Sequence, residues 1–393
     1  MRKKLFVIGC TGSVGSSVLA VCRDYPDFFE IRALAARSSA SGTERLADEF
    51  GCRKVVLADE RAARELGTRR KGNLTVLGGK NGLSETASDP DIDHVVVASS
   101  GTDAVPALLA ALRCGKEVSL ANKESIIVAG KWIMPLVRDA GQLRPLDSEH
   151  NAVWQGLRGR PPEHVEEIVL TASGGPFRTF SLEALEKVTP AMAVSHPVWN
   201  MGAKISVDSA TLMNKGIEIM EAMQLFALPA EKVQAVVSPD PFVHGIVRFT
   251  DGTSLLAASA PDMQIPAASA LFFPGICPAP RVPAPPLAGM TIRFHQPDEG
   301  LFPCLRIARE AARLGGGYPA VLAGADEAAV NAFLEKRIGF LDIPRVVESV
   351  LARYPGTVPG TPEEALSLYG YGRREAESMA GRLGKSFSSR RSH

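Results

Sequence analysis

No stretch of these 393 residues approaches the roughly 18 consecutive apolar positions of a membrane span. Charge of one sign is lacking too: 44 Lys and Arg offset 43 Asp and Glu, so no global field points to nucleic acid or a membrane surface. The six cysteines, Cys10, Cys22, Cys52, Cys114, Cys277 and Cys304, form no Cys-x-x-Cys pair, and no His stands at zinc-ligand spacing. Free thiols are therefore expected. The start, "MRKKLFVIGC", has a basic then apolar pattern, but Leu5–Ile8 falls short of a signal peptide's core of about 7–15 residues. It reads better as a first strand running into a glycine loop, and the expected location is the cytoplasm. There is no internal repeat.

What is present alternates. "KLFVIG", "FEIRALAA", "KVVLA", "HVVVAS" and "EVSLAN" read as strands separated by helical stretches such as Ser13–Arg23 and Asp103–Arg113. That rhythm predicts βαβ units and a Rossmann-like parallel sheet over 1–145. From 146 to 272 the pattern becomes mixed. "VEEIVLTAS", "VQAVVS", "GIVRFT" and "SLLAAS" read as strands, the last two joined by a hairpin at Asp251-Gly252. A helix after Ser206 is expected to be among the longest. This predicts a central α+β domain. Residues 273–300 are rich in proline and read as a linker. From 301 to 393 the 3.6-residue period predicts a helical bundle.

Five constellations carry chemistry. In "GCTGSVGSS", Gly9, Gly12 and Gly15 follow the first strand and open the first helix, where backbone N–H groups can face a pyrophosphate. The second strand ends in Arg37, Ser38 and Ser39 without an acid, which suits the 2′-phosphate of NADPH better than the free hydroxyl of NADH. "LANKES" puts Lys123 between Asn122 and Glu124 at the end of a parallel strand. A helix cap would account for the Asn and the Glu but not for the Lys. In "LDSEHN", Asp147 and Glu149 point the same way in extended backbone. With oxygen donors only, Mg²⁺ or Mn²⁺ is the natural partner, although capping of the next helix would also explain the motif. "TASGGPF" brings Ser173 and two glycines after a strand, as an anion nest or a plain turn.

The fifth is "HPVWNMGAKISVDSATLMNKGIEIME", His196–Glu221. Asn214 and Glu218 share a helix face, so Glu218 can supply a third carboxylate. Ser209, Asn214 and Lys215 offer groups to a phosphate, whereas a surface ion pair would account for Lys215 and Glu218 alone. His196–Gly202 reads as a lid.

Taken together, "TGSVG", "LANKES", "DSEHNA", "SGGPF", "HPVWNMG", "KISVDSATLMNKGIE", "PDM" and "FPCL" resemble the 1-deoxy-D-xylulose 5-phosphate reductoisomerase family along the whole chain. The resemblance implies NADPH-dependent rearrangement and reduction of a sugar phosphate, a divalent metal and a homodimer, with no nucleic-acid or membrane partner; it makes 1–145 the NADPH-binding domain and 146–272 the catalytic and dimerisation domain. It assigns Asp147, Glu149 and Glu218 to the metal, and Ser173, His196, Ser209, Asn214 and Lys215 to the phosphate or hydroxyls of the substrate. Lys123 and Ser148 would reach its reacting end, Trp199 and Met201 would sit on the lid, and Thr11, Gly12, Ser13, Val14, Asn122, Glu124 and Gly202 would contact NADPH. Lys123 and the three carboxylates form the implied catalytic set, with Glu149 and Glu218 also touching substrate. The chain departs from the family at "SPDP" (Ser238–Pro241), at Gln264 and at Asp326, where Asn is usual. Rival readings are a semialdehyde or other sugar-phosphate oxidoreductase, the former needing a nucleophilic cysteine, and a silent NADPH-binding sensor, which would be expected to lose metal ligands first.

Overall fold

The apolar runs of the first third build a parallel seven-stranded sheet: β1 (Lys3–Ile8), β2 (Phe29–Ala36), β3 (Lys54–Leu57), β4 (Thr75–Gly78), β5 (His94–Val97), β6 (Glu117–Leu120) and β7 (Leu143–Pro145). The computed structural model describes residues 2–70, 72–195 and 201–390, with side chains as far as 384. The strand order is β4-β3-β2-β1-β5-β6-β7. Winding reverses between β1 and β5, the place where such sheets bind ligands. Leu5, Val7, Leu34, Val55, Leu57 and Val96 are fully buried, as expected for a parallel sheet covered on both faces. β4 and β7 escape the sequence reading because "TVLG" ends in glycine and "LRP" carries Arg and Pro, which read as turn rather than strand.

A buried polar cluster lies near the N-terminal ends of β5 and β6. His94 pairs through Nε2 with the Ser119 hydroxyl at 2.8 Å, and its Nδ1 lies 3.2 Å from Glu117. Glu117 also meets Lys3 at 2.7 Å and Arg144 at 2.8 Å. Burial pushes the imidazole down from 6.5 to about 4, against the pull of Glu117. The unfolded chain therefore binds a proton that the folded one refuses between those two values. Stability should fall as pH drops through that window. A thermal unfolding series from pH 7 to pH 4 should show this, and His94→Gln should flatten it.

Two compact units divide the chain. The first comprises 1–125, 131–154 and 262–285, and the second the rest of the described residues. This differs from the four segments expected from the sequence. The breaks at 145 and 272 are not where contacts divide, because Trp154 packs at a tilt against Phe273 with ring centroids 5.2 Å apart, and the Arg144 guanidinium lies 4.8 Å from the same ring. The proline-rich stretch therefore begins as a packed segment, and Tyr25 donates its hydroxyl hydrogen to the Ala279 carbonyl.

The second unit holds a four-stranded sheet of β8 (Val165–Ala172), β9 (Val233–Val237), β10 (Val243–Phe249) and β11 (Ser254–Ala258), in the order β11-β10-β8-β9. The hairpin turns at Asp251-Gly252 as expected, with Gly252 at φ +85° and the Asp251 carboxylate accepting from Thr253 N–H. "SPDP" has a role here: Asp240 accepts from Arg293 at 3.0 and 3.1 Å and pins the end of the 286–295 segment.

The expected long helix after Ser206 is two helices, Ala203–Thr211 and Met213–Leu225, broken at Leu212 with φ +62°. No Gly or Pro announces the break. The Thr211 hydroxyl accepts from Met213 N–H, satisfying a donor that the turn exposes. Beyond 303 the helices Cys304–Leu314, Tyr318–Leu334, Asp342–Arg353 and Pro362–Arg390 follow. The second and fourth cross at glycines. A Cβ on Gly324 would stand 2.0 Å from the Tyr369 carbonyl oxygen, and one on Gly372 would stand 2.2 Å from that of Val321.

Candidate active site

The glycine loop after β1 lies at the winding reversal. Gly9 has φ +87°, and a Cβ there would lie 2.6 Å from the Ala98 backbone that follows β5. A Cβ on Gly15 would lie 2.1 Å from the Gly9 carbonyl oxygen, whereas one on Gly12 would lie 3.4 Å from that oxygen and 3.8 Å from the Ala98 carbonyl oxygen. Two of the glycines therefore close the loop. The third leaves Thr11, Gly12 and Ser13 exposed where the helix Ser13–Asp24 presents its first-turn N–H groups. Gly15→Ala should lower stability by about 1–3 kcal/mol through overpacking, and Gly12→Ala should leave the melting temperature nearly unchanged. Calorimetry on both variants checks this. Arg37, Ser38 and Ser39 are exposed at the end of β2, and the Ser39 backbone carbonyl accepts from Thr43 at the start of the next helix.

Asn122 caps the helix Lys123–Ile133: its Oδ1 accepts from Ser125 N–H at 2.7 Å, and its Nδ2 donates to the carbonyls of Ser99 and Gly101. The capping account therefore holds for Asn122, which ties the loop after β5 to the end of β6. Glu124, half-buried in the first turn, suits the helix dipole. Lys123 does what a cap cannot explain. Its ammonium lies 2.8 Å from Asp147 Oδ2, with the Lys123 side chain only 9% exposed. His150 Nδ1 stands 3.3 Å from the same oxygen. Burial alone would push the Asp147 carboxyl up, but the Lys123 charge and the His150 contact outweigh it and hold it well below the usual carboxylate range. The Ser148 hydroxyl donates to Glu149 Oε2 at 2.6 Å, and both residues are half-buried.

In the second unit, Gly174 and Gly175 follow β8 at φ +79° and +69°. A Cβ on Gly175 would fall 2.8 Å from the Ser209 carbonyl oxygen. The glycines thus let the Ser173 turn close onto the end of the helix Ala203–Thr211, and the Ser173 hydroxyl accepts from Gly175 N–H at 3.2 Å. Beyond the break at Leu212, Asn214 and Lys215 fall in the first turn of Met213–Leu225. There the helix dipole is positive. Asn214 Nδ2 donates to Glu218 Oε1 at 2.5 Å, and the Lys215 ammonium donates to Glu218 Oε2. The surface ion pair considered from the sequence is corrected here: the side chains of Lys215 and Glu218 are 3% and 0% exposed. Gly202 is the exposed residue before Ala203–Thr211, and its carbonyl accepts from the Ser206 hydroxyl. His196 and Trp199, with most of the lid reading, lie outside the described residues.

Lys204 and Asp208 went unnoticed in the sequence, and Asp326 stood out there only as a departure from the family. Lys204 lies 2.5 Å from Asp208 and 2.7 Å from Asp326, and both carboxylates are buried. The i, i+4 spacing in "KISVD" and the acidic pair Asp326-Glu327 inside the apolar helix "PAVLAGADEAAV" were the available signals. Four of the six cysteines offer no nucleophile in an activating setting. Burial pushes the thiols of Cys10 and Cys52 up to about 11 and that of Cys22 to about 12, and Cys304 is raised as well. Among the described residues no helix is long and apolar enough to cross a membrane.

Family models match three stretches: 1-deoxy-D-xylulose 5-phosphate reductoisomerase over 5–130, its C-terminal domain over 143–226, and a DXP reductoisomerase C-terminal domain over 258–375. A 1-deoxy-D-xylulose 5-phosphate reductoisomerase of Laribacter hongkongensis is 42% identical over 375 residues, covering 93% of this chain and 96% of that one. The solved reductoisomerase of Zymomonas mobilis in complex with NADPH is 36% identical with a TM-score of 0.89, covering 97% of this chain and 99% of that one. A DOX-P reductoisomerase in complex with NADPH, fosmidomycin and magnesium is 34% identical with a TM-score of 0.90, covering 98% and 99%. Identity of this extent leaves one conclusion: the chain belongs to the 1-deoxy-D-xylulose 5-phosphate reductoisomerase family.

Proposed function

We propose that this enzyme converts 1-deoxy-D-xylulose 5-phosphate to 2-C-methyl-D-erythritol 4-phosphate, an NADPH-dependent rearrangement and reduction in isoprenoid precursor synthesis. It is an NADPH- and divalent-metal-dependent oxidoreductase of its family. The observation that carries the assignment of residues is the pair of buried lysine–carboxylate contacts, Lys123 on Asp147 and Lys215 on Glu218, each built within its own unit. Buried charges of this kind cost free energy and are kept where chemistry needs them.

Asp147, Glu149 and Glu218 are the proposed ligands of Mg²⁺ or Mn²⁺. Their donors are oxygens only, the set a hard cation takes, and Asp147 is held ionised. When bound, the metal supplies Lewis acidity to the substrate oxygens and NADPH supplies the hydride. Lys123 Nζ, its charge balanced by Asp147, is assigned to move a proton at the reacting end of the sugar, with Ser148 orienting that end. Ser173, Ser209, Asn214 and Lys215 hold the phosphate, while His196 and Trp199 contact the substrate. Thr11, Gly12, Ser13, Val14, Asn122, Glu124 and Gly202 are assigned to NADPH, with Arg37, Ser38 and Ser39 at its 2′-phosphate. A homodimer is supported by β11, an edge strand that exposes Leu255 and Leu256. A cytoplasmic location is supported by the free cysteines.

The test is NADPH oxidation with 1-deoxy-D-xylulose 5-phosphate, with and without Mg²⁺. Turnover should need both additions, and activity that ignores the metal sinks the reading of the three carboxylates. For the cofactor, Arg37→Ala should lower kcat/KM for NADPH about tenfold while leaving NADH nearly unchanged, the loss expected for one charge-assisted contact of about 1.5 kcal/mol. Equal losses with the two cofactors remove Arg37 from the 2′-phosphate.

A further inference from the structure

Lys204 is the first charged residue after the segment read as a lid, and it stands five positions before Ser209. It reaches two carboxylates from different parts of the second unit. Asp208 lies one turn along its own helix at 2.5 Å, and Asp326 on the helix Tyr318–Leu334 is at 2.7 Å. Asp208 is 2% exposed and Asp326 is fully buried among alanines. Nothing in the catalytic assignment uses any of the three. Buried ionised groups without a role are disfavoured, because several kcal/mol of desolvation must be offset for each. The helix they secure is short, nine residues, and it ends one residue before the left-handed turn at Leu212. Its placement therefore depends on tertiary contacts more than on its own propensity. Ser209 lies next to Asp208 on it, and Asn214 and Lys215 follow immediately after the turn.

We propose that Lys204 and Asp326 are positioning residues for the phosphate end of the substrate: Asp326 anchors Lys204 to the C-terminal helices, and that tie sets the height and rotation of the helix presenting Ser209. The proposal rests on the sugar-phosphate reading. It differs from a purely stabilising role in what it moves. A displaced Ser209 weakens phosphate binding, whereas the proposed NADPH contacts, apart from Gly202 at the start of this helix, lie on other elements.

The test compares Asp326→Ala, Asp326→Asn and Lys204→Gln with the unaltered enzyme. Asp326→Ala should raise KM for the sugar phosphate about tenfold, within the range that misplacing a binding group by a fraction of an ångström produces, with kcat and the NADPH KM changed much less. Asp326→Asn keeps an oxygen acceptor for the ammonium and should restore most of the loss. Lys204→Gln should reproduce the rise in KM and serves if Asp326→Ala does not fold. Variants that melt at lower temperature yet keep the original KM overturn the proposal, as does an Asn variant no better than the Ala one. If the unaltered enzyme shows no turnover of the sugar phosphate, the functional reading has failed instead. Thermal stabilisation by inorganic phosphate then tests the proposal on its own: lost in Asp326→Ala and kept in Asp326→Asn supports it, and equal stabilisation in both overturns it.

Discussion

Glu218→Gln should abolish turnover while NADPH still binds. The side chain keeps its shape, and Asn214 can still pair with the remaining carbonyl oxygen, so packing changes little. The charge does not survive. Glu218 is completely buried and accepts from both Asn214 and Lys215. Neutralising it removes a proposed metal ligand and leaves the Lys215 ammonium buried without that anion. Removing one partner of a buried pair costs about 3–5 kcal/mol, which should appear as a lower melting temperature. The loss of rate should be larger still. Partners one step away from a metal already cost about 10–100-fold when removed, so a direct ligand should cost at least about 100-fold. Steady-state kinetics at rising Mg²⁺, with NADPH binding followed by fluorescence, separates the two effects. Unaltered turnover in this variant would remove Glu218 from the metal site.

Lys123→Met should lower kcat by about 100-fold or more, the ordinary range for loss of a group that moves a proton. Methionine matches the length of the lysine stem, so the fold of the loop after β6 should hold, helped by the Asn122 cap. The Asp147 carboxylate would lose the cation 2.8 Å away and keep only the His150 contact. Its burial would then push the carboxyl upward, and metal affinity should fall along with kcat. Lys123→Arg is the informative companion. It restores positive charge, but a planar guanidinium cannot give up a proton near neutral pH. Recovery of metal affinity without recovery of kcat is the expected pattern. Full recovery of both by arginine would show that Lys123 acts only as a counter-charge.

How far the sequence speaks for itself depends on the scale of the feature. Five strands of the parallel sheet are legible because burial on both faces writes them as apolar runs. β4 and β7 are not, although β4 is as long as β3, β5 and β6, because Gly78 in one and Arg144-Pro145 in the other read as turn residues. The hairpin at Asp251-Gly252 is legible because one dipeptide determines it. The break at Leu212 is not, because a leucine is held at positive φ by its surroundings rather than by its own preference. In the first unit the motif around Lys123 is legible down to the cap. The burial of Lys215 and Glu218 is not, since an i, i+3 pair looks the same on a surface as in a core. The Lys204–Asp326 contact joins residues 122 apart, and nothing local to either residue names the other.

The crossing at Gly324 and Gly372 sets a single register for the helices Tyr318–Leu334 and Pro362–Arg390. Sliding one helix by a residue turns it by about 100° and drives the Cβ of Ala323 or Ala325 into the space where only hydrogen fits. The pair therefore acts as a keyed shaft: it engages at one angle and one depth, or not at all. Asp326 lies two residues past the key, so its depth is cut by Gly324. A methyl group at position 324, which touches neither phosphate nor Lys204, should on that account disturb the sugar-phosphate end through a helix that has no chemistry of its own.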